Sequence, residues 1–113
     1  MKMAQEIRGD VVVLRLSGQL LGGPDADAVR DQILAALNQG FKRILIDLNE
    51  VTWINSTGLG ILISAHVTAS ECGGEVRLMR VSKRIDSILM ITRLNTVFLT
   101  YPDEVTALQA FAS

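Results

Sequence analysis

The sequence predicts an α/β fold: a single domain, residues 1–113, built on a mixed, mostly parallel sheet of four to five strands with about four helices. Three observations predict it. Short β-branched runs alternate with helical patterns of roughly ten to fifteen residues, the order that produces right-handed parallel crossovers. One run, RILIDL (43–48), is almost continuously apolar, as in a strand covered on both faces. The length of 113 residues suits one hydrophobic core of useful size.

VVVLRL (11–16) is short and β-branched and reads as the opening strand. Residues 17–23 form a glycine-rich turn, and Pro24 suits the first helical position after it. Ala26, Val29, Ile33 and Leu37 then recur at helical spacing, with Asp25, Asp27, Asp31 and Gln32 on the other face. Gly40 closes that helix. After RILIDL comes a polar turn, then a helix over 59–72 stopped by Gly73 and Gly74. EVRLM (75–79) is another strand. Residues 83–93 read as a helix turning Ile85, Ile88, Leu89 and Ile91 inward. TVFLTY (96–101) is the final strand, and Asp103 is a good N-cap for a last helix carrying Val105, Leu108 and Phe111.

Bulk properties narrow the function. Of the residues, 49% are apolar and 20% charged, an ordinary soluble composition. A net charge of −1 gives no electrostatic footprint for direct nucleic-acid binding. Arg77, Arg80, Lys83, Arg84 and Arg93 are close in sequence, and a solvated amphipathic segment explains them better than phosphate binding. Residues 51–70 carry no charge but are too polar and glycine-rich to span a membrane. The opening MKMAQEIRGD has no apolar signal region. Cys72 is the only cysteine, so a reducing cytoplasm is the expected location.

DLNEVTWINSTGLG (47–60) is the candidate site. It leaves a strand at its carboxyl end, where open α/β sheets meet ligands and partners, and carries Ser56 and Thr57 before two glycines. Either hydroxyl suits a helix N-cap. Catalysis is not expected. The only histidine, His66, lies ten residues along the same helix, roughly 15 Å away, and no nucleophile elbow is present. Gly58 and Gly60 lack the lysine or third glycine of a nucleotide cradle. His66 and Cys72 fall on different helix faces with no partner cluster for a metal. No cofactor is implied. A modification site remains: a phosphoryl group at Ser56 would sit near the positive end of a helix macrodipole and be tolerated there. Gly58 and Gly60, poor helix formers, are expected to let a partner approach closely. Trp53, at a strand end, is expected to fill the core, with partner contact as the alternative. Leu59 either packs beneath the helix or covers the partner.

The stretch from Asp47-Leu48 through Val51 to Ile54-Asn55-Ser56-Thr57-Gly58-Leu59-Gly60 resembles the signature of the STAS domain, shared by sulfate transporters and bacterial anti-sigma-factor antagonists. LRLSGQL (14–20) with the Pro24 helix is similar to the family's opening strand, turn and first helix. Residues 85–98, ending ITRLNTVF, are similar to its third helix and the turn that follows. The resemblance implies a cytoplasmic switch protein rather than an enzyme. The unmodified form binds a serine kinase of the histidine-kinase-like ATPase fold that doubles as an anti-sigma factor, which frees the sigma factor for transcription. The kinase phosphorylates Ser56, or less readily Thr57, and a PP2C-type phosphatase restores it. Gln19, Leu20, Asn55, Ser56, Gly58 and Leu59 are the expected exposed partner contacts, because the two glycine-flanked turns should be neighbours. Homodimerisation is left open. This chain departs from the family pattern in two places: Asn55 stands where an acid usually precedes the serine, and Leu20-Leu21 follow Gln19 where an acid is common. A second reading keeps the fold as an unphosphorylated scaffold or accessory subunit of a signalling or transporter complex. A third is a small nucleotide-binding regulator.

Overall fold

The computed structural model describes residues 1–112. Its elements run β1 (Lys2–Arg8), β2 (Val11–Leu20), α1 (Pro24–Asn38), β3 (Arg43–Ile54), α2 (Ser56–Glu71), β4 (Glu75–Met79), α3 (Lys83–Ile91), a 3-10 turn (Leu94–Thr96), β5 (Thr100–Tyr101) and α4 (Glu104–Ala112). The five strands lie in sequence order. β1 pairs antiparallel with β2, and every later pair is parallel. The expected mixed, mostly parallel sheet is present.

Period-two alternation divides the core between the two faces of the sheet. Val12, Leu14, Leu16, Ile44, Ile46 and Leu78 face α1, α2 and α3 in the main cluster. Val11, Val13, Leu45 and Met79 face the opposite way, onto Ala107 and Phe111 of α4. β3 is sandwiched between these layers, which is why RILIDL reads as unbroken apolar sequence.

Several elements differ from expectation. β1 was not foreseen; it is an edge strand whose residues are largely solvent-exposed, so it carries little apolar alternation. Its readable signal is the two-residue Gly9-Asp10 turn that pairs Arg8 with Val11 in a hairpin. β2 continues through the predicted turn to Leu20, with register shifts between Arg15 and Ser17 and between Gly18 and Gln19. β5 shrinks to two residues, because 94–96 form a 3-10 turn and Phe98 is drawn into the core beside His66. Ile91 of α3 and Val105 of α4 face solvent, 83% and 66% exposed. In helices this short, fewer positions reach the core than the apolar pattern offers.

The basic cluster does not form one solvated face. Arg77 lies over the Phe111 ring at 4.3 Å, Arg80 binds Asp47, and Arg84 lies over Trp53. No helix among the described residues is long and apolar enough to cross a membrane.

Candidate functional site

The site is assembled where β2 and β3 end side by side. Gln19 pairs with Trp53 and Leu20 with Ile54, so the glycine turn after β2 and the start of α2 are neighbours, as the sequence suggests. Gly22, at φ 98, lies so near Thr57 that a Cβ on it would fall 2.3 Å from the Thr57 methyl. The first turn of α2 is therefore pressed against both the end of β2 and the loop after it.

Asn55, not Ser56 or Thr57, is the N-cap of α2. Its side-chain Oδ1 accepts the Gly58 N–H at 2.7 Å, and its carbonyl accepts the Leu59 N–H at 2.8 Å. Its extended backbone (φ −108, ψ −177) is the conformation a cap requires. The consequence falls on the next residue. Ser56 is the first helical residue, exposed, and its hydroxyl has no hydrogen-bond partner among the described residues. It is also too far forward to receive help from His66, whose ring meets Phe98 edge-on at 5.7 Å farther down the helix.

Half of the expected contact residues are exposed and half are not. Gln19, Asn55 and Ser56 reach solvent. Leu20 is fully buried, Leu59 is 8% exposed and Gly58 is buried. Gly58 has an internal reason for its missing side chain, in place of the partner approach expected for it. A Cβ there would stand 1.7 Å from the Leu20 carbonyl oxygen and 3.2 Å from Ile54. The helix start is seated directly on the backbone of β2, so these three residues form the floor of the site. Gly60, by contrast, faces open space.

Three surface features escaped the sequence. Leu21, rather than Leu20, is the exposed leucine of the turn, 41% accessible, because β2 keeps its two-residue alternation from Val12 through Leu14 and Leu16 to Leu20, which therefore faces the core. Trp53 is 39% exposed instead of buried, with the Arg84 guanidinium 3.9 Å from its ring centre. Ile63 and Val67 are exposed at 38% and 47%, and together with Ser56 and Gly60 they follow helical spacing along one stripe of α2. The unbroken apolar run from Ile61 to Ile63 hides which of its members face outward.

The first residue of the motif is bound quite differently. Asp47, 4% exposed, lies on the α4 side of the sheet. Its carboxylate accepts from Arg15 at 2.9 Å, Arg80 at 2.6 Å and the Asn49 N–H at 3.0 Å. Arg15 also donates to Glu6 at 2.9 Å and Glu104 at 2.6 Å. Hydrogen bonds from Arg15 and then Arg8 hold the Glu6 carboxyl below its ordinary value of 4.5, and the bond to Glu6 is the largest of those that raise Arg15. This network ties β1, β2, β3, the end of β4 and α4 together.

Among known proteins, the chain is 27% identical over 109 residues to the anti-sigma F factor antagonist of Paenibacillus polymyxa, covering 96% of this chain and 92% of that one. It is 32% identical over 65 residues to a Thermotoga neapolitana homologue of TM1081, and the match spans only 58% of either chain. The Bacillus cell fate determinant SpoIIAA, solved in its phosphorylated form, superimposes with a TM-score of 0.75 at 20% identity, over 97% of this chain and 99% of that one. The model of the STAS domain matches residues 2–107, and with that match over nearly its whole length the chain belongs to the STAS domain family.

Proposed function

We propose that this protein is an anti-sigma factor antagonist that binds a serine kinase of the histidine-kinase-like ATPase fold and releases it when Ser56 is phosphorylated. The observation that carries the reading is the free, exposed Ser56 hydroxyl at the head of α2, spared from capping by Asn55. In the transfer, Ser56 Oγ attacks the γ-phosphorus of ATP held by the kinase, ADP leaves, and the hydroxyl proton passes to a base of the kinase. ATP and magnesium belong to that partner. A PP2C-type phosphatase hydrolyses the ester and restores the binding form. The relationship to the Paenibacillus antagonist and to SpoIIAA, which exists phosphorylated, supports this assignment.

The docking surface comprises Gln19, Leu21, Trp53, Asn55, Ser56 and the α2 stripe through Ile63 and Val67. Leu20, Gly58 and Leu59 shape it from beneath. A phosphoryl group brings about −1.5 to −2 charges to this surface while meeting the positive end of α2, so it blocks a partner without unfolding the domain. No carboxylate is hydrogen-bonded to Ser56 among the described residues, so the kinase itself must orient the hydroxyl. The test is a pull-down with an ATPase-fold serine kinase. Wild type is expected to bind, and Ser56→Asp to lose at least about tenfold in affinity, or roughly 1.4 kcal/mol. Equal retention of both proteins, with a single unshifted band in phosphate-affinity electrophoresis, sinks the switch and leaves a constitutive scaffold.

A further inference from the structure

The start of α3, which reaches Trp53 through Arg84, carries two cations that no acid pairs among the described residues. Lys83 and Arg84 occupy the first two positions of α3, where free N–H groups already make the helix end positive and a cation is unfavourable. Neither forms an ion pair among the described residues, nor does Asp86 of the same helix. Arg84 is held by the face of Trp53, its guanidinium carbon 3.9 Å from the ring centre, an arrangement that leaves the N–H edges able to donate outward. Trp53 stands three residues before Ser56, within roughly 10 Å along the chain.

Apart from Asp86, which pairs with neither cation, the acids flanking the Ser56 end are engaged or absent. Asp25 lies 3.9 Å from the Met1 ammonium and Asp27 3.8 Å from Arg30. The residue before Ser56 is neutral Asn55, and the turn after Gln19 is Leu20-Leu21. We propose that Trp53, Arg84 and Lys83 form a docking patch for a carboxylate-rich segment of the partner protein. Two cations and one ring are too short a track for a nucleic-acid strand, and the chain's net charge of −1 adds no basic stripe. Resting on the reading of Ser56 as a switch, the patch also gives phosphorylation its mechanism: new negative charge repels the partner's carboxylates and competes for Arg84.

Isotope-labelled protein is titrated at low salt with a hexaglutamate peptide, a hexalysine peptide and a thymidine hexanucleotide, following the Trp53 indole and Arg84 side-chain resonances. Hexaglutamate alone is expected to give saturable shifts. Arg84→Gln is expected to weaken its binding about fivefold, the upper range for an exposed ion pair, with the remaining amide spectrum unchanged. Protein carrying phosphoserine at position 56 is expected to bind hexaglutamate more weakly still. No response to hexaglutamate, an equal response to hexalysine, tighter binding of the oligonucleotide, or indifference to Arg84→Gln overturns the proposal. These probes need no kinase, so their failure leaves the Ser56 switch intact. A kinase pull-down insensitive to Ser56→Asp removes the switch while the carboxylate-binding patch stands.

Discussion

Asp47 and Ser56 open and close the same polar stretch, and they meet opposite surroundings. Asp47 is buried on the α4 side, its carboxylate gripped by Arg15, Arg80 and the Asn49 amide. Ser56 is exposed on the first turn of α2 with no hydrogen-bond partner among the described residues. The contrast teaches how one short segment both anchors and signals. A charge taken out of water needs its counter-charges within hydrogen-bond reach, so Asp47 organises the strands around it. A group that must be modified has to be left unengaged, so another residue, Asn55, performs the local structural task.

The largest expected loss comes from filling the floor between these two ends. Gly58→Ala gains about 1 kcal/mol of helix propensity but places a methyl 1.7 Å from the Leu20 carbonyl oxygen, and the clash wins. Urea denaturation should show a net loss of about 3 kcal/mol or more, the upper range for overpacking. A Gly58→Ala protein as stable as wild type would mean that α2 is not seated on β2 as described. Asp47→Ala comes next. It removes the carboxylate held by Arg80, whose side chain is 36% exposed, and leaves Arg15 with Glu6 and Glu104, so a loss of about 1.5 to 3 kcal/mol, the range for hydrogen bonds to a charged group, is expected. A loss below about 0.5 kcal/mol, as at an ordinary surface position, would erase the contrast with Ser56.

At the signalling end the effects shrink. Asn55→Ala removes the cap of α2 and should cost about 1 kcal/mol in the same measurement, with hydrogen exchange rising at the Gly58 amide. Ser56→Ala should leave stability within about 0.5 kcal/mol of wild type while abolishing phosphorylation at that position. If Ser56→Ala destabilised the protein as much as Asn55→Ala, the division of labour between cap and acceptor would be wrong.

Much of this architecture was legible because burial imposes a period. Runs such as RILIDL and the Val29, Ile33, Leu37 repeat announce strand and helix, since a covered face must be apolar at the spacing of the element. β1 is not legible because an edge strand that sends only Met3 against the core carries no such period. Of the site, Ser56 and Asn55 were placed at the correct turn but the cap was given to the wrong residue. Both are competent N-caps, and the extended backbone at Asn55, with its Oδ1 accepting the Gly58 N–H, distinguishes them. Leu20 is read as exposed because the strand is expected to end at Leu16; β2 instead continues to Leu20 with its alternation intact, so Leu20 faces the core with Val12, Leu14 and Leu16.

What the sequence determined by itself was the α/β order of elements, the single core and the position of the hydroxyl turn at a strand's carboxyl end. These follow from local periodicity and chain connectivity. Tertiary structure alone decided that Gly58 is a seat rather than an approach path, that Trp53 faces outward beneath Arg84, and that Ser56 is left free. The first two depend on how segments distant in sequence meet within a few ångströms, a distance no local pattern encodes, and the third on the extended backbone that makes Asn55 the cap.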